Sequence, residues 1–346
     1  MSFFSNIFNP THAESLVLID ISAGSVAGAY AHYKDGEMPS ILYTRRLPIE
    51  VREGEQHKNA MLRALEILVN ALIREGAPVL ARATGSGRAD TILVSVDAPW
   101  QETKVRTEYF ERKTPFTFTK RMVATALEKT SITAEGKVLV DESIIGTILN
   151  GYETREPYGK KVHRASILIL TSFIDEKTSE SIAQTLGKLF HTKNILSIAG
   201  SSLRYQAMRT IFPHERDALV FDAIGPLVSI ALVRRDLLVA VVETSDTPST
   251  DVEKWTKEVV LELTELAKDH PLPRTIFLLA QELDSQSLEQ ILNSAKLGGL
   301  WLSENPPKIV PVKAGHVSGF IKQVTTAPPD LHLLLMALYW HHHDQK

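Results

Sequence analysis

Two short hairpins, each led by an aspartate, constrain the fold of this chain more than any other feature. The first hairpin is "VLIDISAGSVAGAYA", residues 17–31, and the second is "FDAIGPLVSIALV", residues 221–233. Each consists of an apolar run, a group of turn residues and a second apolar run, which is the pattern of a β-hairpin. Each is also followed by a third apolar strand, a helix and a further strand. This repeated order predicts an internally duplicated fold.

Composition excludes several classes of protein. A chain of 346 residues that is 44% hydrophobic and 23% charged is typical of a globular protein with two or more domains. Its net charge of −3 gives no field that would favour nucleic acid, so we expect no nucleic-acid partner. The absence of cysteine excludes disulfides, thiolate metal sites and cysteine nucleophiles. The sequence begins without a secretory signal pattern, which predicts a cytoplasmic protein.

The predicted elements divide the chain into four parts. Residues 14–97 and 196–216 form a first subdomain, 98–195 form a small inserted α+β domain, and 217–346 form a second subdomain. The last helix is expected to pack on the first subdomain. Within that subdomain, apolar residues at helical spacing predict a helix over residues 57–76 that is capped by Gly76 and followed by a loop. Residues 1–13 form an N-terminal tail.

The N-terminal tail carries a short apolar stripe. Its large side chains fall on one face of a helix, and they belong to Phe3, Phe4, Ile7 and Phe8. One hypothesis is a tail that packs on the body of the protein or stays disordered. The other is a peripheral contact with a membrane or partner, which the lack of basic residues in the stripe makes weak.

The order of elements resembles that of the actin-like ATPase superfamily, and in particular its bacterial FtsA and PilM group. The stretch "ILNGYETREPYGKKV", residues 148–162, is similar to a signature of the inserted domain in FtsA-like proteins. The resemblance implies an α/β protein with a duplicated actin-like, or ribonuclease H-like, fold and a small α+β inserted domain. Only residues 269–274 join the helix after the second hairpin to the next strand, which predicts that the family's second small subdomain is missing.

The resemblance also implies where a nucleotide would bind. Turns of the two hairpins would hold the phosphates, and carboxylates would hold a hydrated magnesium ion. The residues that match these positions are Asp20, Ser22, Gly24, Ser25, Asp222 and Gly225.

The hairpins depart from the family's pattern in ways that disfavour a nucleotide. In the first turn, the expected glycine is displaced from Ser22 to Gly24. In the second, Ala223 is inserted and Pro226 has no N–H to donate. The adenosine-binding turn, normally Gly-Gly, reads Ala280-Gln281 here. These changes predict a degenerate site that holds no cofactor, with ATP and magnesium as the alternative.

Other candidate chemistry is weak, and the sequence predicts neither a catalytic residue nor a metal site. Ser95, Asp97 and His163 could be drawn as a hydrolase triad, but no nucleophile elbow presents the serine. The glycine-rich segment at residues 84–88 lacks the Lys-Ser/Thr of a phosphate loop and is better explained as a plain loop. The group at the C-terminus is typical of a solvated tail, although a metal cluster that also includes His332 is the alternative; its members are His341, His342, His343 and Asp344.

Two functions follow from these features. The first is a non-catalytic actin-like scaffold at the inner face of the cell membrane, serving a machine such as type IV pilus assembly or cell division. The resemblance implies that it binds a short cytoplasmic segment of a membrane or filament protein, through a groove that involves the inserted domain, and self-association is a further expectation. The alternative is a nucleotide-binding actin-like ATPase with weak hydrolysis.

Overall fold

A computed structural model describes residues 13–128, 135–154, 156–225, 227–245, 251–295, 297–301 and 305–343. The N-terminal apolar stripe, Pro226 and the last three residues lie outside this range. Among the described residues, no helix combines the length and hydrophobicity needed to cross a bilayer.

The first lobe begins with three antiparallel strands and then alternates helices with parallel strands. Its elements before the insertion are β1 (Ala13–Ile21), β2 (Ser25–Lys34), β3 (Ser40–Pro48), α1 (His57–Ala71), α2 (Ala77–Thr84) and β4 (Thr91–Val96). The strand β1 is buried over its last seven residues because it lies inside the sheet, paired with β2 on one side and β4 on the other.

The prediction of a helix end at Gly76 is wrong. The chain passes from α1 through a π-helical turn (Leu72–Gly76) directly into α2, which ends at Gly85 with φ of +82°. Pro78 stands in the first turn of α2, directly after the π-helical turn. Gly76 serves packing: a Cβ there would approach the Tyr30 ring to 2.7 Å. The predicted loop over residues 77–84 is therefore helical.

The inserted part of the chain forms a separate four-stranded sheet with one helix on its face. Its elements are β5 (Gln101–Thr117), α3 (Lys120–Glu128), β6 (Lys137–Leu149), β7 (Tyr152–Glu153) and β8 (Lys161–Asp175), in the sheet order β5-β8-β6-β7. Phe118, Val123 and Ala126 pack against Ile167 and Ile169 of β8 to form its core.

The next helix, α4 (Glu176–Phe190), lies in the range predicted for the insertion but packs on the first lobe. Its buried residues Ile182 and Leu186 join the same core as Leu65 and Leu68 of α1. After α4, β9 (Ile195–Ala199) extends the sheet of the first lobe, and α5 (Gly200–Ile211) leads to the second lobe.

The second lobe repeats the first. Its elements are β10 (Ala218–Asp222), β11 (Ser229–Arg234), β12 (Leu237–Glu243), α6 (Val252–Asp269), β13 (Thr275–Leu279), α7 (Glu282–Ser294), a 3-10 turn (Leu297–Leu300), β14 (Lys308–Val312), α8 (Ala314–Val317), β15 (Lys322–Gln323) and α9 (Leu331–His343). The sheet order β12-β11-β10-β13-β14 matches β3-β2-β1-β4-β9 of the first lobe strand for strand. The predicted duplication is confirmed.

Two late elements return to the first lobe. The strand β15 adds to the outer edge of β3, with Lys322 opposite Ser40. The helix α9 is apolar and contacts the first hairpin, where the Tyr33 hydroxyl donates to the Ala337 carbonyl at 3.1 Å. Near its end, the Trp340 indole N–H donates to Glu14 at 3.0 Å. The helix α9 therefore ties the end of the chain to its beginning.

Candidate functional site

The two aspartates that lead the hairpins occupy equivalent places in the two lobes. Asp20 lies near the end of β1 and Asp222 ends β10, each on the central strand of its sheet. Both strands have a parallel neighbour on one side and their hairpin partner on the other. Asp20 is fully buried and Asp222 is 7% exposed. The fold thus directs both carboxylates to the region between the lobes.

A histidine from the last helix joins the two carboxylates. His332 of α9 has Nδ1 at 3.1 Å from Asp20 Oδ2 and Nε2 at 3.1 Å from Asp222. A carboxylate only accepts, so both ring nitrogens must donate, and the imidazole must carry a positive charge. Burial lowers the pKa of His332, but Asp222 and Asp20 outweigh it and raise that pKa to about 10.

An arginine from the helix α5 forms the second link. Arg204 donates to both oxygens of Asp97, at 2.9 and 2.5 Å, and its Nε lies 2.6 Å from Asp222 Oδ2. The side chain of Arg204 is almost completely buried. Although burial raises the pKa of Asp222, Arg204 and His332 lower it to about 2. The guanidinium therefore binds the two carboxylates that follow β4 and end β10.

A third cation binds the first hairpin. Arg46 of β3 donates to Asp20 Oδ2 at 3.0 Å and to Ser25 Oγ at 2.7 Å. It also forms a bidentate ion pair with Asp330, which precedes α9, with hydrogen bonds of 2.7 and 2.9 Å. Burial raises the pKa of Asp20, yet His332 and Arg46 together hold it below its ordinary value. We call these seven residues the ionic network: Asp20, Arg46, Asp97, Arg204, Asp222, Asp330 and His332.

The turns of both hairpins use their polar groups internally. In the first, Ser22 Oγ donates to the carbonyl of Ser25 at 3.1 Å and lies 3.2 Å from Ser25 Oγ. In the second, the N–H of Ala223 donates to Leu279, and the N–H of Ile224 donates to Asp222 Oδ1. The Ser22 hydroxyl and the N–H groups of Ala223 and Ile224 are thus bonded to protein rather than free for a phosphate.

The space between the hairpins is small. A cavity of about 30 Å³ lies among Ser22, Ser201, Gly225 and the ionic network. Ligand pockets usually measure hundreds of cubic ångströms, so this cavity is far too small for a nucleotide. A separate open cavity of about 820 Å³ borders Ala280 and Gln281, the predicted adenosine turn, together with Arg45 and Lys313.

The resemblance to actin-like ATPases implies a magnesium ion near these carboxylates. Within the described part of the chain, Asp20, Asp97 and His332 form the group with metal-ligand spacing, their atoms lying within 4.8 Å of one another. A metal there would need neutral histidine and free carboxylates. Here His332 is positively charged, because each of its ring nitrogens donates to a carboxylate. Both oxygens of Asp97 accept from Arg204. These residues therefore do not fit a resident metal ion.

The structure separates the other candidate groups. Ser95 is buried within β4, whereas His163 is exposed on β8 of the inserted sheet, so the hydrolase triad does not assemble. His332 is drawn into the ionic network, and the ring of His341 stacks with that of Tyr33. Asp344 lies outside the described residues.

Sequence reasoning found Asp20 and Asp222 but missed the cations that bind them. Arg204, Arg46 and Asp330 belong to no motif. The sequence patterns suggest only a hydrolase triad for Asp97 and a C-terminal metal cluster for His332. One signal was available: a single histidine inside the apolar run "LHLLLMALYW" must be buried, and a buried histidine needs a polar partner.

Two sheets of equal strand order, each presenting an aspartate to the space between them, define the actin-like fold, as the resemblance implied. Among solved structures, the chain is similar to that described as the PilM-PilN type IV pilus biogenesis complex, with a TM-score of 0.53 and 12% identity over 97% of this chain and 99% of that chain. The PilM-like fold is thereby confirmed.

Two further solved structures are similar at lower scores. One is a protein of actin-like ATPase fold from Bacteroides thetaiotaomicron, with a TM-score of 0.46 and 8% identity over 94% of this chain and 95% of that chain. The other is the cytoplasmic domain of EpsL, from the type II secretion system of Vibrio cholerae, with a TM-score of 0.41 and 8% identity over 95% of each chain. No family model and no curated protein matches the sequence.

Proposed function

We propose that this protein is a non-catalytic actin-like adaptor of a membrane-associated machine, located on the cytoplasmic side, that binds a short segment of a partner protein. Type IV pilus assembly is the favoured setting because the fold is similar to that of PilM. A secretion or cell-division machine is an alternative setting for the same adaptor role. The adaptor works without nucleotide.

The observation that carries the proposal is the ionic network. In an actin-like ATPase, a nucleotide and its metal would lie between the two hairpins and hold the lobes together. Here His332 links Asp20 to Asp222 across the same space, and Arg204 links Asp97 to Asp222. Protein cations thus neutralise the carboxylates that would face magnesium. The lobes are joined without a ligand.

A groove beside the inserted sheet is suited to a peptide. It measures about 830 Å³ and is lined on one side by Val105, Ile148 and Leu168. Its other wall is formed by Leu237 and Val239 of β12, the edge strand of the second lobe. This volume is in the range of ligand pockets, and an edge strand next to apolar side chains favours an extended segment. The partner segment is therefore expected to be extended and largely apolar.

Calorimetric titration with Mg-ATP tests the absence of nucleotide. We expect no saturable heat up to about 1 mM ligand, which corresponds to binding weaker than roughly −4 kcal/mol. The variant Gln281→Gly, which restores a glycine to the adenosine turn, should not change this result because the ionic network remains. A dissociation constant in the low micromolar range would instead support the nucleotide-binding alternative, with the 820 Å³ cavity as the base site.

Site-specific photocrosslinking tests the partner groove. A photoreactive amino acid at Val105, which is 47% exposed, should yield a discrete adduct with a membrane protein in the native cell. The same amino acid at Leu261, which is 57% exposed on α6, is the matched control and should yield none. Identical adducts from both positions, or no adduct at Val105, would contradict the groove assignment.

A further inference from the structure

The end of the inserted sheet furthest from α4 carries a concentration of basic side chains. Six exposed residues define it, and we call them the basic tip: Arg112, Lys113, Lys120, Arg121, Lys160 and Lys161. They come from the end of β5, the start of α3 and the segment that leads into β8.

Backbone pairing brings these three segments together. Thr117 of β5 pairs with Lys161 of β8, and the N–H of Phe118 donates to the carbonyl of Lys160 at 2.9 Å. The Lys120 ammonium lies 5.7 Å from the centre of the Tyr158 ring, which itself stacks on Phe118. The basic tip is therefore one continuous surface, although its residues are about 50 positions apart in sequence.

The charge of the basic tip is not neutralised locally. None of its six side chains forms an ion pair with a described carboxylate, whereas the neighbouring Arg164 is paired with Glu111 at 2.8 Å. Glu156 is the exposed acid in the adjoining loop. Because the whole chain has a net charge of −3, this cluster makes the molecule electrically asymmetric. Such asymmetry orients a protein towards an anionic surface.

Exposed tyrosines flank the basic tip. Tyr109 is 79% exposed, Tyr152 is 78% exposed and Tyr158 is 43% exposed. Tyrosine combines an apolar ring with a polar hydroxyl, so it is favoured at the boundary between bilayer and water. Tyr152 pairs with Leu149 at the edge of the sheet, and Leu149 pairs with Ala165 next to Arg164. The aromatic and basic residues thus share one end of the sheet.

All six basic side chains are exposed, and none lines the three cavities described above. Exposed cations on one continuous surface can contact several charges of a broad anionic plane at the same time. We propose that the basic tip docks on an anionic phospholipid membrane. Membrane docking goes beyond the adaptor role, and a negative result for docking would leave the adaptor role untouched.

Vesicle co-sedimentation with the full-length protein tests the docking. We expect binding to vesicles of phosphatidylglycerol mixed with phosphatidylcholine, little binding to phosphatidylcholine alone, and release at 0.5 M salt because exposed charges are screened. The variant in which Lys113, Lys120, Lys160 and Lys161 are each replaced by Gln should lose at least tenfold in apparent partitioning.

A matched control removes four exposed lysines elsewhere. Lys177, Lys188, Lys193 and Lys308 lie outside the inserted sheet, and changing each of them to Gln alters the net charge equally. This variant should bind vesicles as the wild type does. Equal binding by the two variants would overturn the proposal, as would a wild type that ignores anionic vesicles but binds an acidic polypeptide or RNA.

A contact measurement keeps the proposal testable if the quadruple variant misfolds. Because the chain contains no cysteine, Tyr152→Cys creates a unique site for a polarity-sensitive fluorophore. Its emission should shift to the blue with anionic vesicles, while the same label at Lys188→Cys should not respond. A shift at Lys188 without one at Tyr152 would place the membrane contact elsewhere.

Discussion

His332 lies between two buried carboxylates, one at each ring nitrogen, and this fixes the positive charge of its imidazole. Asp20 is completely buried, and Asp222 and His332 are nearly so. An isolated buried charge is very costly, but a charge with an opposite partner at hydrogen-bond distance is tolerated. Each charged side chain of the ionic network is therefore stabilised by its partners of opposite charge, and removing one leaves a buried charge without its partner.

Replacing His332 by Ala should destabilise the fold strongly. The change leaves Asp20 and Asp222 facing each other with fewer cations, and breaking a buried pair in this way costs about 3–5 kcal/mol. Urea unfolding of the purified protein measures the loss. The control is His163→Ala, an exposed site whose effect should stay within about 0.5 kcal/mol. A loss below about 1 kcal/mol for His332→Ala would mean that the network contributes little.

Gly200 has no side chain because the ionic network occupies the space beside it. A Cβ at this position would lie 2.2 Å from Asp97 Oδ1 and 2.7 Å from the Arg204 guanidinium. The variant Gly200→Ala should therefore separate Asp97 from Arg204 and cost about 2–4 kcal/mol in unfolding free energy. Thermal unfolding tests this against Gly315→Ala, where a Cβ meets nothing within 4 Å. Equal midpoints for the two variants would contradict the packing argument.

At the scale of elements, the boundary of the insertion differs from the sequence-based one. Strands β5 to β8 form a sheet of their own, while α4 buries Ile182 and Leu186 in the core of the first lobe. Removing residues 98–195 would thus strip a helix from that core. We therefore expect the separable unit to be the sheet with α3.

Antiparallel pairing gives a way to remove the inserted sheet cleanly. Thr103 of β5 and Ser172 of β8 are register partners, and their hydroxyls lie 3.1 Å apart. An Asn-Gly turn in place of residues 104–171 should close a short hairpin and leave a soluble, cooperatively unfolding protein. Circular dichroism and denaturant unfolding report this outcome.

The deletion of residues 98–195 is the comparison for that experiment. It should aggregate or unfold without cooperativity, because the buried face of α1 loses the cover of α4. A cooperative transition for this larger deletion, together with aggregation of the shorter one, would show that α4 belongs to the inserted unit.

At the scale of the whole molecule, the ionic network should make the protein less stable as the pH becomes alkaline. The ordinary pKa of His332 is 6.5, and its value in the fold is about 10. Because the folded state binds this proton more tightly, its contribution to stability is complete below about pH 6.5 and is lost as the pH rises towards 10. The difference in unfolding free energy between wild type and His332→Gln should therefore shrink across this range. A constant difference from pH 6.5 to 10 would mean that His332 is not protonated.

The sequence alone determined the duplicated architecture. Apolar alternation, turn residues and helical periodicity act over a few residues, so both hairpins and most strands and helices could be predicted from local patterns. The chain length between α6 and β13 likewise showed that only a short connection is present. Asp20 and Asp222 were found because each leads a hairpin. Local chemistry does not reveal how the ends of these elements meet.

Only the tertiary structure decided what the aspartates bind. His332 lies 312 residues from Asp20 and 110 from Asp222, and Arg204 lies 107 residues from Asp97. Such partners are chosen by the crossing of α5 and α9 between the lobes, and no local pattern records that crossing. Gly76 illustrates the same limit: its place in the sequence is typical of a helix cap, but the Tyr30 ring above it is what excludes a side chain. Packing between distant elements, which burial makes energetically decisive, therefore determined that cations of the chain itself bind Asp20 and Asp222.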